Sequence, residues 1–239
     1  MSSQLSGKKA LVTGGTRGIG YAIAERLMKD GATVTVTGTK PGGAGPESSE
    51  YRAVDFSDTA ATEAFAVSIK NDDFDILVNN AGINKIAPFA EIDTADFERI
   101  QRVNVLAPMV LCRAVLSGMQ QKGWGRIVNI SSIWGKISKE QRAPYSTSKF
   151  GIDGMTVALA AEVAGDGVLA NSVAPGFIDT ELTQRVLGPD GIAELTAKVP
   201  VGRLGQPEEI AAFISWLAGP ENTYISGQNI AIDGGFTRV

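Results

Sequence analysis

Tyr145 and Lys149 stand four residues apart in the run YSTSK, in a chain that contains no histidine. On a helix that spacing projects both side chains from one face. A free phenol ionises near pH ~10, too high for efficient proton exchange at neutrality, and a cation held beside it favours the phenolate. The pair can therefore do the acid–base work for which histidine is the usual choice. The same spacing also occurs on ordinary amphipathic helix surfaces, so the surroundings decide. Ser132 closes the run GRIVNISS (125–132), where a hydroxyl can meet the tyrosine across a cleft. NNAG, Asn79 to Gly82, ends the earlier strand-like run that begins FDILV, again on the carboxyl side.

A second feature with chemical content is TGGTRGIG, residues 13–20. It follows one β-branched run directly and opens a helical segment. Glycines there permit a tight turn and let the backbone approach a pyrophosphate at a helix N-terminus. Gly14, Gly18 and Gly20 give the spacing G-x-x-x-G-x-G. It is not a P-loop, because no Lys-Ser/Thr pair follows the last glycine.

These residues need a scaffold that brings them to one edge. Short β-branched runs supply it: KALVTG, ATVTVTG, YRAVDF, FDILVNN, GRIVNISS, LANSVAP and GQNIAIDGG. Helical segments fill most gaps, notably 20–31, 93–121, 145–164 and 207–218. The alternation predicts an α/β fold of the Rossmann type: a doubly wound, mainly parallel sheet of seven strands with helices on both faces. No internal repeat or linker divides the chain, so residues 1–239 are expected to form one domain. Two irregular stretches interrupt the pattern. Residues 39–50, rich in Gly, Pro and Ser, replace the crossover helix expected after the second strand. Residues 175–191 follow the sixth strand, the position of a substrate lid.

Composition narrows the class. With 239 residues, 44% of them hydrophobic, the chain can build a substantial core. A net charge of −4 argues against a nucleic-acid-binding surface. The single cysteine, Cys112, lies in an apolar run and reads as a buried helical residue. The N-terminus has no long apolar stretch of the signal-peptide kind, and no apolar run approaches the ~20 residues that span a bilayer. The expectation is a cytoplasmic protein that engages neither membrane nor nucleic acid. No metal site is expected.

In order and spacing, TGGTRGIG, NNAG, VNV (103–105), the Ser131–Ser132 pair, YSTSK and APGFIDT (174–180) resemble the short-chain dehydrogenase/reductase family. The resemblance covers essentially the whole chain, and it is greatest to the branch of 3-oxoacyl-(acyl-carrier-protein) reductases. It implies NADP(H) or a related cofactor and hydride exchange between a ketone and a secondary alcohol. It further implies Tyr145 as the acid/base. Lys149 lowers the tyrosine's pKa and binds the nicotinamide ribose, and Ser132 polarises the substrate oxygen. Asn104 holds a water that links Lys149 to solvent. Gly14, Thr16, Arg17, Gly18, Ile19 and Gly20 line the cofactor phosphates; Asp55 and Phe56 flank adenine. Asn79, Ala81 and Gly82 meet the adenosine ribose region, and Pro175, Gly176, Ile178 and Thr180 hold the nicotinamide end.

The second strand ends in VTVTGTK, with no carboxylate to bind a ribose 2′-hydroxyl. Thr39 and Lys40, with Arg17 in the glycine turn, can instead donate to a 2′-phosphate, so NADP(H) is the expected cofactor. Trp134 and Phe177 suggest an apolar substrate wall, while Lys136, Arg142 and Arg185 could meet an anionic tail. Acyl carrier protein is a conceivable partner, although Asp166 stands where the carrier-binding reductases tend to present a basic residue. Small residues on the helices at 105–121 and 150–164 permit close approach between subunits, and the family implies a homotetramer. The competing readings are a cofactor-binding sensor without catalysis and a sugar epimerase or dehydratase on an extended version of the fold.

Overall fold

The computed structural model describes residues 4–239, without the side chains of Leu182 and Val186. The strands are β1 (Lys9–Val12), β2 (Thr33–Gly38), β3 (Glu50–Ala53), β4 (Ile76–Asn79), β5 (Gly125–Ile130), β6 (Val168–Pro175) and β7 (Asn229–Ile232). The helices are α1 (Gly18–Lys29), α2 (Thr59–Ile69), α3 (Thr94–Gln101), α4 (Ala107–Lys122), α5 (Ala143–Val163), α6 (Glu181–Thr196) and α7 (Pro207–Leu217). The strands form one sheet in the order β3-β2-β1-β4-β5-β6-β7. Every pairing is parallel.

The central strands β4, β5 and β6 are buried along their whole length, as expected of a parallel sheet covered on both faces, while β3 and β7 at the edges are only partly buried. Alternate residues of one strand serve different cores. Ala10 and Val12 pack with α1 and α7 in one cluster, while Leu11 between them packs with α2, α4 and α5 in the other. All three are fully buried.

The strand order creates the site. The chain winds outward from β1 through β2 to β3, then returns to place β4 on the other side of β1. Two connections therefore leave in opposite directions at the carboxyl ends of β1 and β4, opening a crevice where ligands bind in such sheets. Both the glycine turn and the Asn79–Gly82 segment start there.

Several boundaries differ from the sequence expectation. Residues 39–50 contain no helix, as expected. The long helical segment at 93–121 is divided by a π-helical turn, Arg102–Leu106, between α3 and α4. The expected irregular lid instead carries α6, interrupted at Gly188, whose backbone (φ 64°, ψ 177°) is non-helical. Pro189 follows at once, and this Gly-Pro pair explains why the stretch reads as irregular. Among the described residues, one continuous helical stretch, Thr94–Lys122, has the length and apolar character to cross a membrane. Half of its most apolar window is buried inside the fold. Val110, Leu111, Val115 and Met119 there pack into the second core.

Candidate active site

α5 carries the tyrosine–lysine pair. Pro144 in its first turn is compatible with the start of a helix, where its missing N–H is not needed. Tyr145 is half-buried and Lys149 only 4% exposed. The Lys149 ammonium lies 5.5 Å from the tyrosine ring centroid. It donates a 2.7 Å hydrogen bond to the carbonyl of Ile130, the last residue of β5. Burial pushes the lysine down to about 8. Burial also pushes the Tyr145 phenol up from its ordinary value, opposed by the Ser132 hydroxyl and then by the positive charge of Arg142. In the protein without cofactor the Lys149 charge is desolvated and its ammonium is turned toward Ile130.

The two serines after β5 separate cleanly. Ser131 turns inward and donates to the Lys149 carbonyl at 3.2 Å, fastening α5 to the strand. Ser132 accepts from the Trp134 backbone N–H at 3.2 Å and acts on the Tyr145 phenol. Its hydroxyl thus reaches the same point of the cleft as the tyrosine.

Asn104 sits in the π-helical turn and is 2% exposed. π-turns within α-helices recur at functional sites. Its Nδ2 donates to the Ile83 carbonyl and to Ser148 Oγ, both at 2.9 Å. Its Oδ1 accepts from the Ile83 N–H at 2.9 Å. Ser148 in turn donates to the Tyr145 carbonyl at 2.7 Å. The side chain is therefore spent on protein partners, and it locks the loop after β4 to the helix that bears the catalytic candidates. A methyl group at Gly82 would lie 3.4 Å from Asn104 Oδ1 and 3.6 Å from Lys149 Nζ. The backbone after β4 thus runs immediately beside the lysine. Ile83 and Ser148 do not stand out in the sequence, where neither type is distinctive.

The glycine turn has the form of a phosphate cradle. Gly14 (φ +66°) and Gly18 (φ +54°) adopt backbone conformations that side chains rarely tolerate. A methyl on Gly14 would also meet Ala81 Cα at 3.1 Å. α1 begins after Arg17 with no side-chain cap and no acidic residue in its first turn. Its N–H groups and positive dipole end are accordingly left for an anion. The residues present fit a dinucleotide. Asn80, to which the sequence assigns no role, holds the cradle's shape: its Nδ2 donates to the carbonyls of Thr13 and Gly14 at 2.9 and 3.1 Å. Only the doubled asparagine hints at it. A methyl on Gly38 would lie 2.8 Å from Thr16 Cγ2, so the turn abuts the end of β2. Arg17, Thr39 and Lys40 are all exposed at that rim. Thr180 caps α6 and faces the turn, its Cγ2 3.6 Å from a methyl placed on Gly18.

The side chains of three expected cofactor contacts are turned into the protein. Phe56 is 6% exposed and packs edge-on against Phe65 at 6.0 Å in the second core, so its ring does not flank adenine. Asp55 beside it remains exposed, accepting from the Ser57 N–H at 2.9 Å. The Asn79 side chain points into the sheet's interior. It donates to Asn129 Oδ1 at 2.8 Å and to Cys112 Sγ at 3.5 Å. The Ile178 side chain is 5% exposed and belongs to the first core. The alternation of a strand into its loop accounts for these inward orientations, since adjacent residues face opposite ways. Pro175 ends β6, and Gly176 packs so closely that a methyl there would lie 2.7 Å from Asp233 Cα. Ile19 and Ala81 each pack partly against a core. Cys112 is buried, and burial drives its thiol up to about 12, which leaves it unreactive.

On the substrate side, Trp134 and Phe177 form an aromatic wall with Phe236. The ring centroids are 6.2 Å apart for Trp134–Phe177, 6.3 Å for Trp134–Phe236 and 4.9 Å for Phe177–Phe236. Phe236 comes from the C-terminal segment after β7, too far along the chain for spacing to link it to the site. Arg142, the residue before α5, places its guanidinium 5.9 Å from the Trp134 ring centre. Lys136 is turned aside, donating to the Asn229 carbonyl at 2.7 Å.

Comparison with known proteins agrees with this arrangement. Residues 14–237 match the family described as enoyl-(acyl carrier protein) reductase. The 3-oxoacyl-[acyl-carrier-protein] reductase of Vibrio harveyi is 41% identical, with 98% of this chain and 99% of that protein covered. A Beutenbergia cavernae structure with bound NADP, assigned as an NAD(P)-dependent gluconate 5-dehydrogenase, superposes with a TM-score of 0.93. It is 35% identical, and both chains are covered completely. The gluconate 5-dehydrogenase of Burkholderia cenocepacia, in complex with NADP and tartrate, gives a TM-score of 0.90 at 29% identity. That match covers 100% of this chain and 98% of the other. Full-length similarity at this level, on a seven-stranded parallel sheet with its crevice between β1 and β4, means that the chain belongs to the short-chain dehydrogenase/reductase family and is an oxidoreductase.

Proposed function

We propose that the protein interconverts a ketone and a secondary alcohol with NADP(H), using Tyr145 as the proton donor in reduction and acceptor in oxidation. The observation that carries this reading is the convergence of Tyr145, Ser132 and Lys149 at the carboxyl end of β5, beside the glycine cradle. When bound, the nicotinamide supplies or takes up the hydride. The chain's own groups do the rest. Ser132 donates a hydrogen bond to the substrate oxygen while Tyr145 passes a proton to it, so the charge developing there is met by two donors. Lys149 holds the nicotinamide ribose, and its charge steadies the phenolate left after proton transfer. Asn104 keeps α5 and the loop after β4 in register. Gly14, Thr16, Gly18, Ile19 and Gly20 hold the phosphates, Asp55 and the backbone at Phe56, Ala81 and Gly82 border the adenosine, and Gly176 and Thr180 border the nicotinamide end.

A 3-oxoacyl substrate is supported by the Vibrio harveyi relative, whose name carries that activity. A sugar-acid substrate is favoured by the two gluconate 5-dehydrogenase neighbours and by the positive charge of Arg142 at the tyrosine. Delivery by acyl carrier protein draws little support. Asp166 lies just before the amino end of β6, where it accepts from Gln120 Nε2 at 2.6 Å and supplies no positive charge. The test is NADPH consumption with a panel of ketones, 3-oxoacyl thioesters and oxo acids, and NADP reduction with the matching alcohols. Turnover of at least one carbonyl class, with the alcohol identified as product, is expected. A protein that binds NADP(H) and turns over none of them would be a sensor and not this enzyme.

A further inference from the structure

Arg142 is the charged group that favours ionisation of the tyrosine, and among the described residues no carboxylate lies within ion-pair distance of it. Its Nε is buried and has no hydrogen-bond partner. The exposed neighbour Glu140 acts on Arg142 only at longer range and lies 3.9 Å from Lys139. No ion pair among the described residues engages the Arg142 guanidinium. A half-buried guanidinium without an acceptor is costly, so a position of this kind implies an anion that completes it. Burial already pushes Arg142 below its ordinary pKa. Three neighbours define what that anion can be. Arg142 stands one helical turn before Tyr145, and its guanidinium lies by Trp134, two residues after Ser132, so an anion held there lies on the side of the reacting oxygen. The guanidinium carbon lies over the Trp134 ring at 5.9 Å, and the guanidinium fork matches a planar, bidentate acceptor. Arg142 also stands at the N-terminus of α5, whose dipole adds a positive potential.

We infer that Arg142 recognises a carboxylate carried by the substrate itself, so that the substrate is a small oxo or hydroxy acid. This deepens the carbonyl–alcohol reading and rests on it. An acyl thioester offers a neutral group beside its ketone and leaves Arg142 unpaired. Its phosphate-bearing arm lies many bonds away.

The test compares oxo acids with their own methyl esters, for example acetoacetate with methyl acetoacetate, in the wild type, Arg142→Met and Arg142→Lys. A hydrogen bond to a charged group contributes roughly 1.5–3 kcal/mol, or roughly 10–150-fold. The acid-to-ester ratio of kcat/KM should therefore fall at least tenfold in Arg142→Met, and less in Arg142→Lys. An unchanged ratio would overturn the inference. Arg142→Gln serves if the methionine variant does not fold. Calorimetry of tartrate binding to the NADP-loaded proteins gives a readout independent of turnover: binding should weaken at least tenfold in Arg142→Met, and equal affinity counts against the inference. Failure of every carbonyl with the wild type would instead sink the carbonyl–alcohol reading, and the tartrate comparison would still decide Arg142.

Discussion

Lys149 sets its ammonium 5.5 Å from the ring centre of Tyr145 while donating to the carbonyl of Ile130 at 2.7 Å. The lysine thus bridges the end of β5 and the acid–base candidate, one helical turn from its partner. Its near-complete burial and that single acceptor explain why its charge is weakly held.

That weakness has a measurable sign. With the folded pKa lowered from 10.5 to about 8, the unfolded chain binds more protons at this position between those values. Stability contributed by this group therefore rises as pH climbs from about 8 toward 10.5. Replacing Lys149 by methionine removes the effect. Urea midpoints at about pH 7.5 and about pH 9.5 should shift in favour of the wild type, relative to Lys149→Met, at the higher pH. Parallel shifts in the two proteins would show that the lysine is not desolvated.

Phe56 separates the packing role from the expected adenine contact. Truncation of a buried phenylalanine costs roughly 3–5 kcal/mol, so Phe56→Ala should lower the urea midpoint strongly. Cofactor affinity of the folded fraction, followed by nucleotide fluorescence, should change less than threefold. A selective loss of cofactor binding with normal stability would restore the adenine role.

The fold is largely legible in the sequence because the central strands of a parallel sheet buried on both faces are written as apolar runs such as KALV and ILVN. The turns after β1 and β4 are legible because close backbone approach demands glycine. What stays hidden follows from geometry that periodicity does not carry. Nothing in the doubled asparagine tells which of Asn79 and Asn80 turns inward; the expectation falls on Asn79, whereas Asn80 shapes the cradle. Phe236 reaches Trp134 only through the path of the C-terminal segment. The π-turn at Asn104 inserts an offset that an α-helical pattern cannot show, and Gly188–Pro189 disguises α6 as a loop.

Cofactor choice tests the rim of the cradle. Arg17, Thr39 and Lys40 supply donors where no carboxylate stands, so kcat/KM should favour NADPH over NADH by tenfold or more, given roughly 1.5–3 kcal/mol per charged hydrogen bond. Arg17→Ala should narrow that gap, chiefly through KM for NADPH. Equal use of NADH by the wild type would contradict the assignment.

Assembly is expected through α4 and α5. Met109, Phe150 and Val157 are 36%, 48% and 50% exposed on these helices in the single chain. Asp153 on α5 keeps a buried oxygen without a partner. A second copy laid across this face would cover the apolar groups. Light scattering at micromolar concentration should give the mass of four chains, and a Phe150→Glu variant should give smaller species. A monomeric wild type would rule the assembly out.

Proton donation by the Tyr145 phenol, with Ser132 sharing the substrate oxygen, is the step on which every other assignment depends. Tyr145→Phe removes one oxygen and leaves the ring and the cradle in place. General acid–base catalysis contributes about 10²–10⁴-fold, so kcat for a carbonyl that the wild type reduces should fall by at least a hundredfold. NADPH affinity, measured by fluorescence titration, should stay within about threefold of the wild type, in keeping with a proton-transfer role. A Tyr145→Phe variant that kept half the wild-type kcat would contradict the account.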